Sequence, residues 1–107
     1  MTTVNVSVTV DSTGHIVCSP DPVPVSGANA LINFQLQSSG YAFASTNPVV
    51  VPSPANQFPY GPWCPSSSQA CLFDANTDSN SYKYVVHLVN LSDSQPLSVD
   101  PVIENGK

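Results

Sequence analysis

Ser81-Tyr82-Lys83-Tyr84-Val85-Val86-His87-Leu88-Val89-Asn90 and Gln95-Pro96-Leu97-Ser98-Val99-Asp100-Pro101-Val102-Ile103-Glu104-Asn105 flank the polar stretch Leu91-Ser92-Asp93-Ser94. Two runs rich in β-branched and aromatic residues around a Ser/Asp turn read as a β-hairpin. With Tyr82, Tyr84, Val86 and Leu88 turned to a core, Lys83, Val85, His87 and Val89 share the opposite face. A four-residue turn pairs Asn90 with Gln95 and therefore Val85 with Asp100. Lys83 then lies diagonal to Asp100, with backbones roughly 5.5–8 Å apart. A two-residue turn would set His87 opposite Asp100, but Asp-Ser lacks the glycine such turns want. Both loops are even in length, so Lys83, His87, Asp100 and Glu104 share one face in either register.

Outward from this hairpin the chain keeps the same grammar. Val4, Val6, Val8 and Val10 alternate with polar residues, which predicts a half-buried strand, and Asp11-Ser12-Thr13-Gly14 turns it into a short return at His15–Ser19. Pro20-Asp21-Pro22-Val23-Pro24 is expected to run along an edge, since proline offers no ladder donor. Ala30–Gln37 alternates again, with Ile32, Phe34 and Leu36 inward. Tyr41–Ala44, Val49–Val51 and Gln69–Phe73 are further short strands. Between them, residues 52–68 hold Pro52, Pro54, Pro59, Pro62 and Pro65 and read as a loop that folds Phe58, Tyr60 and Trp63 over one end of the domain. Asp74–Ser81 reads as a polar connection. Seven to eight short strands at intervals of about ten residues predict an all-β, antiparallel β-sandwich over residues 1–107, one domain. Asp78-Ser79-Asn80-Ser81-Tyr82 resembles the corner before the sixth strand of immunoglobulin-like sandwiches, where a tyrosine hydroxyl ties back to backbone.

Composition narrows the function. Of 107 residues only 8% are charged, against roughly a quarter in ordinary soluble domains. No arginine is present, and the net charge is −5. Phosphate backbones and anionic membrane surfaces have nothing to be drawn to, so nucleic acid and membrane are excluded as partners. Met1-Thr2-Thr3-Val4-Asn5 carries no basic and apolar leader pattern, so no signal peptide is expected; the cytoplasm is the default and leaderless export stays open. Cys64 and Cys71 enclose six residues and can bridge across a turn, leaving Cys18 over; three reduced cysteines are the alternative.

The hairpin carries the chemistry. Lys83 is the only lysine besides Lys107, and Asp100-Pro101 is the kind of peptide bond most prone to break through its own side chain. The Asp100 carboxylate can attack its own main-chain carbonyl and close a five-membered anhydride, with proline as a good leaving group and intramolecular geometry supplying the rate. Water activated by a second carboxylate then completes hydrolysis. A neutral Lys83 amine gives a Lys83–Asp100 side-chain cross-link instead, which burial of the lysine on an apolar face would favour. The plain alternative is a cross-strand ion pair beside a strand end.

Val17-Cys18-Ser19-Pro20-Asp21-Pro22-Val23-Pro24-Val25, Gln57-Phe58, Tyr82-Lys83-Tyr84 and Leu97 through Asn105 together resemble the bacterial DP-EP family. The resemblance covers most of the chain. It implies a small β-sandwich and an aspartic-type self-cleaving peptidase activity at an Asp-Pro bond, carried here by Lys83, Asp100 and Pro101. For the water-activating carboxylate two residues stand open. Asp21 serves if the edge segment lies beside the last strand, and Glu104 sits on the strand itself. The released segment 101–107 is expected to stay docked as the protein's own partner peptide; a homo-oligomer or another protein partner is left open.

Other constellations are weaker. Blue copper needs two His, a Cys and usually a Met; the only methionine is Met1, and His15 and His87 do not cluster with cysteine on a last loop. No strained nucleophile elbow supports a Ser-His-Asp triad. Phe58, Tyr60 and Trp63 form either a sugar or peptide platform or loop packing. No cofactor and no metal are expected. A self-processing domain and a non-catalytic binding or structural module therefore stand as the two readings.

Overall fold

A computed structural model describes residues 2–106. Twelve strands and no helix make up its regular structure among those residues: β1 Thr2–Val10, β2 Ile16–Ser19, β3 Val23–Ser26, β4 Ala30–Leu36, β5 Tyr41–Phe43, β6 Val49–Val50, β7 Trp63–Ser66, β8 Gln69–Asp74, β9 Ser81–Lys83, β10 Val85–Asn90, β11 Pro96–Val99 and β12 Val102–Gly106. Four strands more than eight arise in two ways. Each arm of the expected hairpin is broken once, giving β9/β10 and β11/β12. The proline-containing segments Val23–Ser26 and Trp63–Ser66 also pair as strands, each at the edge of its sheet, where a missing N–H can face away from the ladder.

The sheets are open and mixed rather than purely antiparallel. One holds β2-β1-β4-β8-β7, a second β11-β10-β5 with β6 also on β10, and a third β3-β12-β9. β1 runs parallel to β4, with Val6 opposite Phe34, and β12 runs parallel to β3, with Ile103 opposite Val23. Parallel neighbours need a long crossover. Residues 11–29 provide it, turning back through β2 and then crossing into the third sheet at Pro20-Asp21-Pro22.

Strict alternation builds the core. Val6 and Val8 of β1, Ile32, Phe34 and Leu36 of β4, Val86 and Leu88 of β10, and Val23, Val25 and Ile103 of the third sheet form one buried cluster. All three sheets therefore depend on the same apolar interior. At ~1.5–3 kcal/mol for each fully buried aliphatic side chain, that shared interior is what offsets the entropy of ordering strands this short.

The hairpin register is as the turn length implies. Asn90 N donates to Gln95 O at 2.9 Å, and Val86 stands opposite Val99. The same register carries through the break, with Lys83 opposite Val102 and Ile103 opposite Tyr82. Tyr82, Tyr84, Val86 and Leu88 are buried, while Lys83 and His87 are not. Of the loop aromatics only Phe58 packs inward, edge-on to Tyr82 with ring centroids 5.4 Å apart. Tyr60 and Trp63 stay 65% and 43% exposed.

Candidate functional site

The hairpin changes sheets halfway along. Its tip belongs to the β11-β10-β5 sheet and its base to the β3-β12-β9 sheet. The crossing point is Tyr84 on one arm and Asp100-Pro101 on the other. Pro101 has no N–H to give, so the ladder is open here and is bridged by Tyr84 N donating to Pro101 O at 3.0 Å. Pro101 is buried, whereas Asp100 points outward with its side chain 67% exposed. The Asp100-Pro101 bond thus lies in a gap between two strands, free of the pairing that holds its neighbours.

Two of the three partners named from the sequence are at this gap. Lys83 Nζ is 3.5 Å from Asp100 Oδ2, the diagonal contact the register demands. The edge segment does lie beside the last strand, and Asp21 Oδ1 accepts the Val102 N–H at 3.2 Å, one residue beyond the bond. Glu104 is not part of the group. It is exposed, opposite Ser81 and Pro24, and about 13 Å of strand from Asp100. The burial expected for Lys83 is also absent. Its side chain is 71% exposed, because β9 is an edge strand beside an open groove of about 710 Å³ lined by Pro52, Ser53, Ala55 and residues 80–83.

Behind the bond the surroundings are apolar. Tyr84 packs its ring on Phe34 at 5.4 Å, and its fully buried hydroxyl has no hydrogen-bond partner among the described residues. The Cys18 thiol is its neighbour, a weak partner. Burial pushes that thiol up to about 11, and the Asp21 charge adds to the rise. Burial likewise raises the Tyr84 phenol. Cys18, Cys64 and Cys71 are all free thiols; Cys64 is exposed and Cys71 buried, with Trp63 rather than Cys64 opposite Cys71 across a register irregularity.

Sequence reading missed a second cluster. The connection after β8 was expected to be merely polar, yet Asp74, Asn76, Gln57 and Asn105 are all buried, at 0%, 1%, 6% and 5% exposure. Asp74 Oδ1 accepts the Asn76 N–H at 2.9 Å. Gln57 Oε1 accepts from Thr77 N at 2.8 Å and from Asn105 Nδ2 at 3.3 Å, and Asn105 Nδ2 also reaches Asp78 Oδ1 at 3.2 Å. Burial raises the Asp74 carboxyl to about 6; the Asn76 N–H and the adjacent Asn105 side chain oppose that, and the Asp78 charge adds to it. The Tyr82 hydroxyl donates to the Asp78 carboxylate, a side chain four residues upstream, rather than to backbone. That bond is the largest cause of the lowered Asp78 pKa. Two signals were available: the Asp-x-Asn-x-Asp spacing at 74–78, and a polar Asn105 at an inward position two residues after Ile103.

Among the described residues no three His, Cys, Asp or Glu side chains gather as metal ligands. No protein-family model matches the chain, and no curated protein matches it.

Proposed function

We propose that this chain is a self-processing β-sandwich, immunoglobulin-like and akin to the DP-EP family, that cuts its own Asp100-Pro101 bond. One observation carries the reading. The only interruption between β11 and β12 falls on Asp100-Pro101, with the Asp21 carboxylate fixed beside it and Lys83 on the Asp100 carboxylate.

The Asp100 Oδ attacks the Asp100 carbonyl carbon, forming a C–O bond and a tetrahedral centre. The C–N bond to Pro101 then breaks, and the departing nitrogen takes a proton from water or from the acid form of Asp21. A cyclic anhydride remains. Water, losing its proton to the Asp21 carboxylate, opens it to leave a free Asp100 with two carboxyl groups. Lys83 opens it in the second route. Its nitrogen bonds to the side-chain carbonyl, the main-chain carboxylate leaves, and the ammonium protons pass to solvent. The exposure of Lys83 favours hydrolysis over this cross-link, because nothing desolvates the amine.

The product is held in place. β12 is hydrogen-bonded to β9 on one side and β3 on the other, and Ile103 is fully buried. Intact mass under denaturing conditions tests the proposal. We expect a core ending at Asp100 and a seven-residue peptide beginning at Pro101. The cross-linked core would be one water lighter. Asp100→Asn should slow the cut by ~1000-fold or more, since it removes the internal nucleophile; Asp21→Asn should slow it less, and Lys83→Ala should leave it intact. A wild-type mass unchanged after long incubation from mildly acidic to neutral pH defeats the proposal. That outcome selects the second reading, a non-catalytic module, which is favoured by how ordinary a two-thirds exposed Lys-Asp pair is on a protein surface.

A further inference from the structure

Three buried side-chain oxygens in the cluster after β8 have no hydrogen-bond partner among the described residues: Asp74 Oδ2, Asn76 Oδ1 and Asn105 Oδ1. The orientation of Asn76 is not in question. Its Nδ2 donates to Gly27 O at 2.9 Å, with Gly106 O and Val25 O at 3.4 and 3.5 Å, so Oδ1 must point away from those carbonyls. Asn105 is anchored in the same manner, through Nδ2 to Gln57 Oε1 and Asp78 Oδ1. The three residues are neighbours, since Asp74 Oδ1 also accepts the Asn76 N–H. The Asn105 side chain lies beside the Asp74 carboxyl, and the Asn76 amide reaches Gly106, the residue after Asn105.

Unsatisfied buried acceptors are costly, and three together exceed what one water, with two protons, can satisfy. A group that brings positive character to several oxygens at once satisfies them together. A hard cation does this, and carboxylate and side-amide oxygens without His or Cys are the donor set of calcium rather than of a transition metal. Asp74, Asn76 and Asp78 stand at alternate positions, as the first three ligands of a calcium loop do. Ser79 replaces the usual glycine and Val85 the usual closing glutamate, so this is not an EF-hand. Asn105, arriving from β12, closes the group instead.

We infer that the Asp74–Asp78 loop and Asn105 form a calcium-binding site. Asp74 and Asp78 balance the two charges, Asp78 exchanging for the ion part of the hydrogen bonds its oxygens accept from Asn80, Tyr82 and Asn105. The side amides of Asn76 and Asn105 complete the protein ligands. Thr77, Ser79 and Asn80 are exposed, which gives the ion its way in and leaves room for water in its shell. Magnesium is disfavoured because it demands strict octahedral geometry and sheds water reluctantly.

The inference stands apart from the cleavage reading, and its test is run on the wild type and on Asp100→Asn, whose chain stays whole. After treatment with a chelator, calcium chloride is titrated by calorimetry, and terbium is titrated while exciting tyrosine, since Tyr82 hydrogen-bonds to Asp78. We expect one saturable site and tyrosine-sensitised terbium emission that calcium displaces. At calcium a hundred times its Kd the thermal midpoint should rise by ~10 °C over the chelated protein, with a much smaller rise for magnesium. Asp78→Asn, at a half-buried position and of the same size, keeps a side-chain oxygen for Tyr82 and Asn105 and should weaken calcium by ~10-fold or more. No saturable binding and no midpoint shift overturn the inference, leaving ordered water in the cluster. Calcium binding unchanged in Asp78→Asn overturns it too, by placing the ion elsewhere.

Discussion

The two faces of one hairpin differ in what a substitution there can do. Outward, Lys83, Asp100 and Asp21 meet through solvent-exposed groups at a gap in the ladder. Inward, Tyr82, Ile103 and Asn105 are locked into the core and into the buried amides and carboxyls around Asp74. The outer face can change its chemistry at little structural cost. The inner face cannot lose a group without leaving a void or an unsatisfied partner.

The sharpest way to test that contrast is thiol reactivity. The thiolate is the reactive form. Burial holds Cys18, behind Tyr84 and Asp21, up to about 11, while Cys64 is exposed. Near pH 8 only about one Cys18 in a thousand would be thiolate even before access is considered, against fewer than about one in ten for Cys64, whose own thiol partial burial also raises. Cys64 should therefore alkylate first, by roughly tens of fold from ionisation alone and by more once access is counted. Below its shifted value, the Cys18 rate should climb about tenfold per pH unit as the pH rises. Mass mapping after a labelling time course at several pH values checks both statements. Equal labelling of the two would mean the inner wall is open.

A smaller effect is expected from Ile103→Ala, which empties a fully buried position on β12. It should lower unfolding free energy by ~2–5 kcal/mol in a urea titration. If the chain is cut, the same change should let the terminal peptide leave the core on gel filtration. Smallest of all is Lys83→Ala. A pair exposed on both sides contributes little, so stability should move by less than about 1 kcal/mol. A larger loss would show that the outer face, too, is structural.

The same contrast marks what could be read from residues alone. The hairpin register, the inward set from Tyr82 to Leu88 and the Lys83–Asp100 diagonal all follow from period-two alternation around a turn of known length, which is local information. The approach of Asp21 to the last strand was conditional on where an edge segment would run, and β3 runs there. β7 was not legible as a strand, because Pro65 looks like a breaker until an edge position excuses the missing donor, whereas the edge course of the Pro24 segment was legible. The parallel pairing of β1 with β4 was hidden for a different reason: nothing in either strand says which way its neighbour points. The Asp74–Asn105 cluster was least visible. Its members lie at positions 57, 74–78 and 105, and only the third sheet, bringing β12 to the loop after β8, makes them one object.

β12 has a neighbour on each side, β9 and β3. A terminal strand flanked in this way is a key in a slot. While the Asp100-Pro101 bond is intact, its grip adds to an ordinary one-chain folding equilibrium. Once that bond is broken, the grip becomes an association between two molecules, and integrity begins to depend on concentration. Dilution would empty the slot, and an added peptide of the sequence Pro101–Lys107 would refill it. The exposed ladder left behind could also accept a different strand, from another copy or from elsewhere. Severing one backbone bond would then turn a closed fold into a receptor for extended chains.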